Sequence, residues 1–329
     1  MPSVPIINIS ALINKHTNPN AIAKEINIAC QKNGFFYIIN HGVDENLQKD
    51  LEKYSQHFFA LDKDTKMKIR MELGGKAWRG FFPVGDELTS GQPDLKEGIY
   101  FGTELNENNP KVVRGLPMHG KNLFLKEVPE FKKCVLDYMN ALTKLGHHLM
   151  RGLSLSLNLD ENYFNKHFTN DPLTLFRIFH YPAAKNQTQT KQWGVGEHTD
   201  YGVLTILKQD KIGGLQIKSQ NEWIEAPFIE GSFICNIGDM LDKMTGGFYR
   251  STPHRVLNKS GKSRLSFPFF FDPNFDAKIH PIDINKGSHS PNESEYRWDG
   301  KNVYQFDGTY GDYVLSKVSK VFPQLKQNL

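Results

Sequence analysis

Gly196-Glu197-His198-Thr199-Asp200-Tyr201-Gly202 is the stretch on which the reading of this chain turns. It sets an imidazole and a carboxylate two residues apart, and in an extended strand alternate side chains point to one side, so both can reach one metal ion. His254, in Ser251-Thr252-Pro253-His254-Arg255-Val256, offers a third ligand. Two imidazoles and a carboxylate on one face of an iron ion leave the opposite positions open for oxygen and a co-substrate. Farther on, Arg264-Leu265-Ser266 places a planar cation and a hydroxyl on one side of a strand, a pair suited to a carboxylate. The run Phe267-Pro268-Phe269-Phe270-Phe271 predicts that this strand crosses the core, where a buried arginine requires an anionic partner. Zinc hydrolases can use a similar ligand set, but the helical His-Glu-x-x-His pair they favour does not occur in this sequence.

Around this centre the texture of the chain is that of short strands. Turn-punctuated apolar segments are predicted at Leu173–Tyr181, Val203–Leu207, Leu215–Ile217, Trp223–Ala226, Ser232–Ile237, Arg255–Leu257 and Leu265–Phe271. Such spacing favours an antiparallel jelly roll of the cupin kind, a double-stranded β-helix. Before it, Phe131, Val135, Leu142, Leu149 and Leu153 form a helical stripe over residues 128–159, predicting a long supporting helix packed along a sheet. His147 and His148 lie on it as adjacent residues about 100 degrees apart, so they cannot share a metal and read as structural.

The amino-terminal part predicts an edge strand at residues 4–9, a helix from Asn20 to Lys32 ended by Asn33-Gly34, and a buried strand at Phe35–Ile39. Asn40-His41-Gly42-Val43 then turns into a helix reaching Ala60, with His41 shaping the turn rather than binding metal. Residues 74–117 read as long connections, with Arg79-Gly80-Phe81-Phe82 and Asp86 to Gly91 marked as candidate binding loops. A polar loop from Asn285 to Gly300 and a last helix from Tyr310 to Val321 close the chain. The fold class expected is α+β, mainly β. Residues 1–125 would form an amino-terminal region and 126–329 the jelly-roll core, together one compact unit.

Bulk composition narrows the function classes. The 329 residues are 39% hydrophobic and 23% charged, and the net charge of +4 comes from cations dispersed among acids rather than a basic stripe. No nucleic-acid footprint and no membrane span are therefore expected. The start, Met1-Pro2-Ser3-Val4-Pro5, lacks the sections of a signal peptide, which points to a cytoplasmic protein. Cys30, Cys134 and Cys235 match no disulfide or zinc spacing and read as buried thiols.

At these residues the sequence resembles the Fe(II)- and 2-oxoglutarate-dependent oxygenases, specifically the isopenicillin N synthase-like family. Gly34-Phe35-Phe36-Tyr37-Ile38-Ile39-Asn40-His41-Gly42-Val43 is similar to the family's amino-terminal signature, and His198-Thr199-Asp200, His254 and Arg264-Leu265-Ser266 match its active-site motif in order and spacing. The resemblance implies that His198, Asp200 and His254 hold iron. It also implies that Arg264 and Ser266 anchor the distal carboxylate of 2-oxoglutarate with help from Tyr181, whereas Phe179 stands where plant members carry an asparagine. The activity implied is oxidative decarboxylation of 2-oxoglutarate to succinate and CO2, coupled to O2-dependent oxidation of a small molecule, most simply hydroxylation. Ascorbate is a possible accessory, and a monomer or weak homodimer is the expected assembly.

Substrate residues follow from a narrower likeness. Gly85 to Asp94 is similar to the arginine-holding loop of ethylene-forming members, with Glu87, Thr89 and Tyr201 on matching positions and Lys320 where an arginine is expected. Four alternatives stand beside the oxygenase reading. They are ethylene and succinate formation from 2-oxoglutarate and arginine, a 2-oxoglutarate-independent oxidase, a noncatalytic jelly-roll binding protein, and hydrolytic zinc chemistry.

Overall fold

The structure, a computed structural model, describes residues 4–14, 18–89, 91–183, 193–219, 222–258, 260–284, 300 and 302–323. The chain begins with β1 (Ile6–Asn8), α1 (Ser10–Ile13), α2 (Asn20–Lys32), β2 (Phe35–Ile39), α3 (Glu45–Ala60) and α4 (Lys63–Met67). It continues through β3 (Gly80–Phe82), β4 (Glu97–Gly102), α5 (Pro110–Val113), the long α6 (Pro129–Ser156), β5 (Leu173–Tyr181) and β6 (Val195–His198). Then follow β7 (Leu204–Gln209), β8 (Leu215–Ser219), β9 (Glu222–Ala226) and β10 (Phe233–Ile237). The last elements are α7 (Asp239–Met244), β11 (His254–Val256), β12 (Arg264–Asp272) and α8 (Tyr310–Val321).

Eight strands make a major sheet in the order β1-β2-β10-β7-β12-β5-β4-β3, and four make a minor sheet, β6-β11-β8-β9. Among the described residues, pairing is antiparallel except between β1 and β2. This is the jelly roll that the strand spacing predicts. Four strands from before residue 125 belong to the major sheet, so the amino-terminal region and the core share one hydrogen-bonded surface.

The centre of the major sheet is apolar on both faces because both are covered. β5 and β12 pair from Arg264 opposite Tyr181 to Asp272 opposite Leu173, and nearly every side chain on them is buried. Odd-numbered β5 residues from Leu175 onward face the interior cavity. Even-numbered ones face the helices, with the Phe176 ring 5.2 Å from Tyr138 of α6 and His180 stacked on Phe59 of α3 at 5.1 Å, while from β12 Phe271 stands edge-on to His147 of α6 at 4.9 Å. The burial of His147 between helix and sheet holds its pKa below the ordinary imidazole range, as suits a structural residue. On its other side α6 packs against α2 and α3, so the apolar stripe serves two layers rather than a sheet alone.

Local signals fix the ends of several elements. Gly34 adopts φ +63, donates to Ala29 O at 3.0 Å and so closes α2 in the left-handed conformation open to glycine. In the following turn, Val43 N donates to His41 Nδ1 at 3.1 Å, the shaping role read from the sequence. Asp44 caps α3 by accepting from Leu47 N, and Thr309 with Asp312 forms a reciprocal capping box at the start of α8.

The long-connection reading of residues 74–117 needs correction, since β3, β4 and α5 lie within it. Phe81 and Phe82 are core residues on β3. Arg79 is 1% exposed, and its terminal nitrogens donate to the carbonyl oxygens of Thr103, Gly120 and Met118. It stitches loops together rather than facing a ligand. The short apolar pair Phe81-Phe82 gives too little periodicity to be told from a loop. Most of the polar loop expected from Asn285 to Gly300 lies outside the described residues. Among the described residues no helix is long and apolar enough to cross a membrane, and Cys30, Cys134 and Cys235 are buried and free.

Gly146 lets α6 approach the sheet: a Cβ there would stand 2.2 Å from Phe271 Cδ2. Alanine at an exposed helical site gains about 1 kcal/mol over glycine, whereas overpacking a filled core costs about 1–3 kcal/mol. With so short a contact the clash wins. Gly146→Ala should therefore destabilise the fold by on the order of 1–2 kcal/mol, read as a lower urea midpoint at unchanged m value.

Candidate active site

The metal-ligand set forms where the minor sheet meets the loop leading into the major one. His198 is the last residue of β6 and His254 the first of β11, and the two are direct partners in the antiparallel register. Their ring centroids lie 4.2 Å apart. Asp200 lies two residues past the end of β6, in a turn. The alternation argument for His198 and Asp200 is thus corrected: one strand does not carry both, and the turn delivers the carboxylate. That turn is held by backbone bonds from the start of α7, with Asp239 N donating to Asp200 O at 2.8 Å and Met240 N to Gly202 O at 3.0 Å.

Hydrogen bonding aims the three donor atoms inward. His198 Nδ1 donates to Gly196 O at 2.7 Å and His254 Nδ1 to Thr252 O at 3.2 Å; a carbonyl can only accept, so each Nε2 is left with its lone pair. Thr205 Oγ1 and Asn236 Nδ2 both donate to Asp200 Oδ2, at 2.5 and 2.7 Å. Its other oxygen, Oδ1, faces His198 Nε2 at 3.9 Å and His254 Nε2 at 3.7 Å. Those gaps are ones that pairs of metal bonds near about 2.0–2.2 Å can bridge. All three candidate ligand atoms lie within 4.8 Å of one another.

The electrostatics agree. Burial, with His254 beside it, pushes His198 down to about 3, so the imidazole is neutral at ordinary pH. Burial pushes the Asp200 carboxyl up, but the two imidazoles and the bonds from Asn236 and Thr205 outweigh it and hold it below the usual carboxylate range. A neutral imidazole at His198 and an ionised carboxylate at Asp200 are the protonation states in which these groups bind a divalent cation.

The same cavity is lined by Arg264, Ser266 and Tyr181. Arg264 is 1% exposed, and its Nε donates to Gly213 O. Its Nη1 and Nη2 are buried and have no partner among the described residues. The guanidinium lies 4.7 Å from the Tyr181 ring centroid, and Ser266 follows on the same face of β12. A buried guanidinium with both terminal nitrogens unsatisfied fits a carboxylate ligand, as the distal end of 2-oxoglutarate would provide.

Glu87, Thr89 and Tyr201 line the cavity too, but the first two are not free. Glu87 Oε1 accepts from the Tyr100 hydroxyl, and its Oε2 lies 2.8 Å from Lys96 Nζ. Thr89 Oγ1 donates to Asp94, and Asp94 pairs with Lys96 at 2.5 Å. The loop is clasped to α8, with Leu88 N donating to Val321 O at 3.1 Å, and Val314, Val318, Val321 and Phe322 complete that wall. Lys320 is absent from the lining.

Sequence reasoning missed Lys96, Tyr100, Arg177, Asn236 and Asp272, all of which line the cavity. Arg177 was within reach: it alternates with Phe179 and Tyr181 on a correctly placed strand. Asn236 is a lone polar side chain in the apolar run Phe233–Ile237. Nothing local marks Lys96 or Asp272, whose roles depend on distant strands. Asp272 sits against Gly202 and accepts from the Tyr310 hydroxyl at 2.5 Å, and burial pushes its pKa to about 7.

A jelly roll that gathers two imidazoles and one carboxylate beside an unsatisfied buried guanidinium defines the class of non-haem iron oxygenases. Comparison with known proteins carries this to a family. Residues 4–127 match the profile for the amino-terminal region of the non-haem dioxygenase in morphine synthesis, and residues 172–273 that of the 2OG-Fe(II) oxygenase superfamily. A Dictyostelium discoideum protein described as a probable iron/ascorbate oxidoreductase is 51% identical over 99% of this chain and 96% of its own. A 1-aminocyclopropane-1-carboxylate oxidase from the same organism is 42% identical over 97% and 95%. The crystal structure of a full-length Neurospora crassa protein in complex with alpha-KG superposes with a TM-score of 0.78 at 27% identity, covering 96% of each chain. The chain belongs to the 2OG-Fe(II) oxygenase superfamily, and it is an oxidoreductase that uses iron and 2-oxoglutarate.

The bonds to Asp200 Oδ2 give a measurable consequence. Removing an outer partner of a metal ligand lowers affinity about 10–100-fold. Asn236→Ala should weaken Fe(II) or Co(II) binding within that range with little change in fold, measured anaerobically by competition with a chromophoric chelator.

Proposed function

We propose that this chain oxidises a small molecule with O2 and 2-oxoglutarate, with His198, Asp200 and His254 as the iron ligands and Arg264, Ser266 and Tyr181 as the co-substrate anchor. The observation that carries this reading is the pair of orphaned terminal nitrogens on Arg264, buried in the cavity that also holds the His-Asp-His set. When bound, the metal and keto acid supply the oxygen-activating chemistry, which ends in succinate, CO2 and an oxidised substrate.

The protein's own part is to bind, aim and keep dry. The bonds from Nδ1 to Gly196 O and Thr252 O hold the two imidazoles in one tautomer, and Thr205 and Asn236 keep the carboxylate turned inward. Arg264 presents a fork whose charge and plane match a carboxylate. Tyr100, Phe179, Tyr181 and Phe270 line the cavity with aromatic rings that exclude water. Glu87, Thr89 and Tyr201 face the substrate within the same cavity. Hydroxylation is the default outcome, with desaturation, ring closure or ethylene formation as variants of the same start.

A second reading has one observation in its favour, the 42% identity to a protein named as 1-aminocyclopropane-1-carboxylate oxidase. It keeps the iron site and oxidises a small amino acid without consuming 2-oxoglutarate. We further infer that residues 1–125 and 126–329 act as one structural unit, that the protein is a monomer or weak homodimer, and that it works in the cytoplasm without nucleic-acid or membrane partners.

Anaerobic addition of Fe(II) and 2-oxoglutarate should give the weak visible charge-transfer band of the chelate, and O2 should then yield succinate, faster with substrate. His198→Ala should abolish both. Substrate oxidation without succinate would favour the second reading. Arg264→Ala should raise the 2-oxoglutarate concentration needed by about 10–100-fold, the value of a charged hydrogen-bonded pair, while Fe(II) affinity stays nearly unchanged; an unaltered 2-oxoglutarate requirement would overturn that assignment.

A further inference from the structure

We infer that Arg177 is the anchor for a carboxylate group on the primary substrate, and so a specificity-determining residue. This deepens the proposed function and rests on the reading of the cavity as the oxygenase active site.

Arg177 lies four residues before Tyr181 on β5 and points to the same inward face. Tyr181 is the register partner of Arg264. At about 3.3 Å per residue the backbone positions of the two arginines are therefore separated by about 13 Å along the sheet. With its distal carboxylate on Arg264 and its keto acid end at the His-Asp-His set, 2-oxoglutarate has both ends taken and does not need the second fork. The second fork is left for something else.

The surroundings of Arg177 hold it rigid without satisfying it. Its guanidinium is sandwiched between the Tyr100 ring at 4.2 Å and the Phe270 ring at 4.8 Å. Its Nε is buried with no partner among the described residues. The near anion, Glu87 Oε1, is 3.6 Å from Nη1, beyond good hydrogen-bond length, and Glu87 is already taken by the Tyr100 hydroxyl and by Lys96. Arg79 shows how this fold treats an arginine of purely structural purpose: its Nε too is unpartnered among the described residues, but its terminal nitrogens end on three backbone carbonyls. Arg177 has no such carbonyls among the described residues. A stacked, rigid guanidinium aimed into a cavity loses little freedom on meeting a planar, bidentate acceptor, which describes a carboxylate. Repulsion from the nearby Glu87 grows with the charge of the ligand, so a singly charged carboxylate is favoured over a dianionic phosphate.

The experiment uses the full-length Fe(II)-loaded enzyme. The anaerobic chelate band is recorded first, without substrate, and its absence would count against the oxygenase reading rather than against Arg177. Succinate release is then followed with carboxylic acids and their primary amides in matched pairs, among them L-arginine with L-argininamide and 1-aminocyclopropane-1-carboxylate with its carboxamide. Effective acids should exceed their amides by about 10–100-fold in kcat/KM on the wild-type enzyme. Arg177→Gln should shrink that ratio to within about threefold, and Arg177→Lys should keep part of it. Equal acceleration by acids and amides in the wild type overturns the proposal, as does an acid preference that survives Arg177→Gln. So does a band-forming enzyme that no acid accelerates. The wild-type comparison stands even if Arg177→Gln fails to fold.

Discussion

The direct pairing of His254 with His198 across β6 and β11 is the constraint on which the site depends. Two histidines far apart in the chain become neighbours because their strands pair, and no side-chain contact is needed to bring them together. Asp200 reaches the same point by a different device, a turn whose carbonyl oxygens are held by the first amides of α7. One residue of register slip would send the imidazole at position 254 to the opposite face of the sheet. The burial of β8, which pairs with β11, therefore protects the geometry as much as it stabilises the fold.

The cavity combines aromatic walls with two buried cations, Arg264 and Lys96, and a partly buried one, Arg177; Lys96 is closely paired with acids, whereas Arg177 has Glu87 only at 3.6 Å and the terminal nitrogens of Arg264 have no partner among the described residues. Burying charge is costly unless it is paired. The arrangement shows where pairing is complete within the chain and where an external partner is awaited. The contrast between Arg79, ending on carbonyls, and Arg264, with two idle nitrogens, separates a fastening from a receptor within one fold.

Much of this is readable from residue order. The long strands Leu173–Tyr181 and Leu265–Phe271, the helix Asn20–Lys32 and the helix Tyr310–Val321 are legible because apolar periodicity and caps act locally. The iron-ligand candidates and Arg264 with Ser266 are legible as a pattern of chemical types. The short strand Gly80–Phe82 is not, since three residues carry no period, and simple alternation sets Asp200 on a strand although β6 stops at His198. Lys96, Tyr100 and Asp272 act through partners on other elements, so their relevance exists only once the sheet is assembled.

The position of α8 divides labour between the two ends of the catalytic region. Tyr310 and Tyr313, one turn apart, reach Asp272 and Asp239, two carboxylates beside the turn that bears Asp200. Val314, Val318 and Val321 on the same helix form part of the chamber wall. The two tyrosine hydroxyls do the docking and the valines supply apolar wall, with the Tyr310 ring bordering the chamber as well. Selection can therefore resculpt the chamber by exchanging valines for larger or smaller neighbours while the tyrosine latches keep the metal-bearing turn in place, so that new substrates can be accommodated without rebuilding the centre that oxidises them.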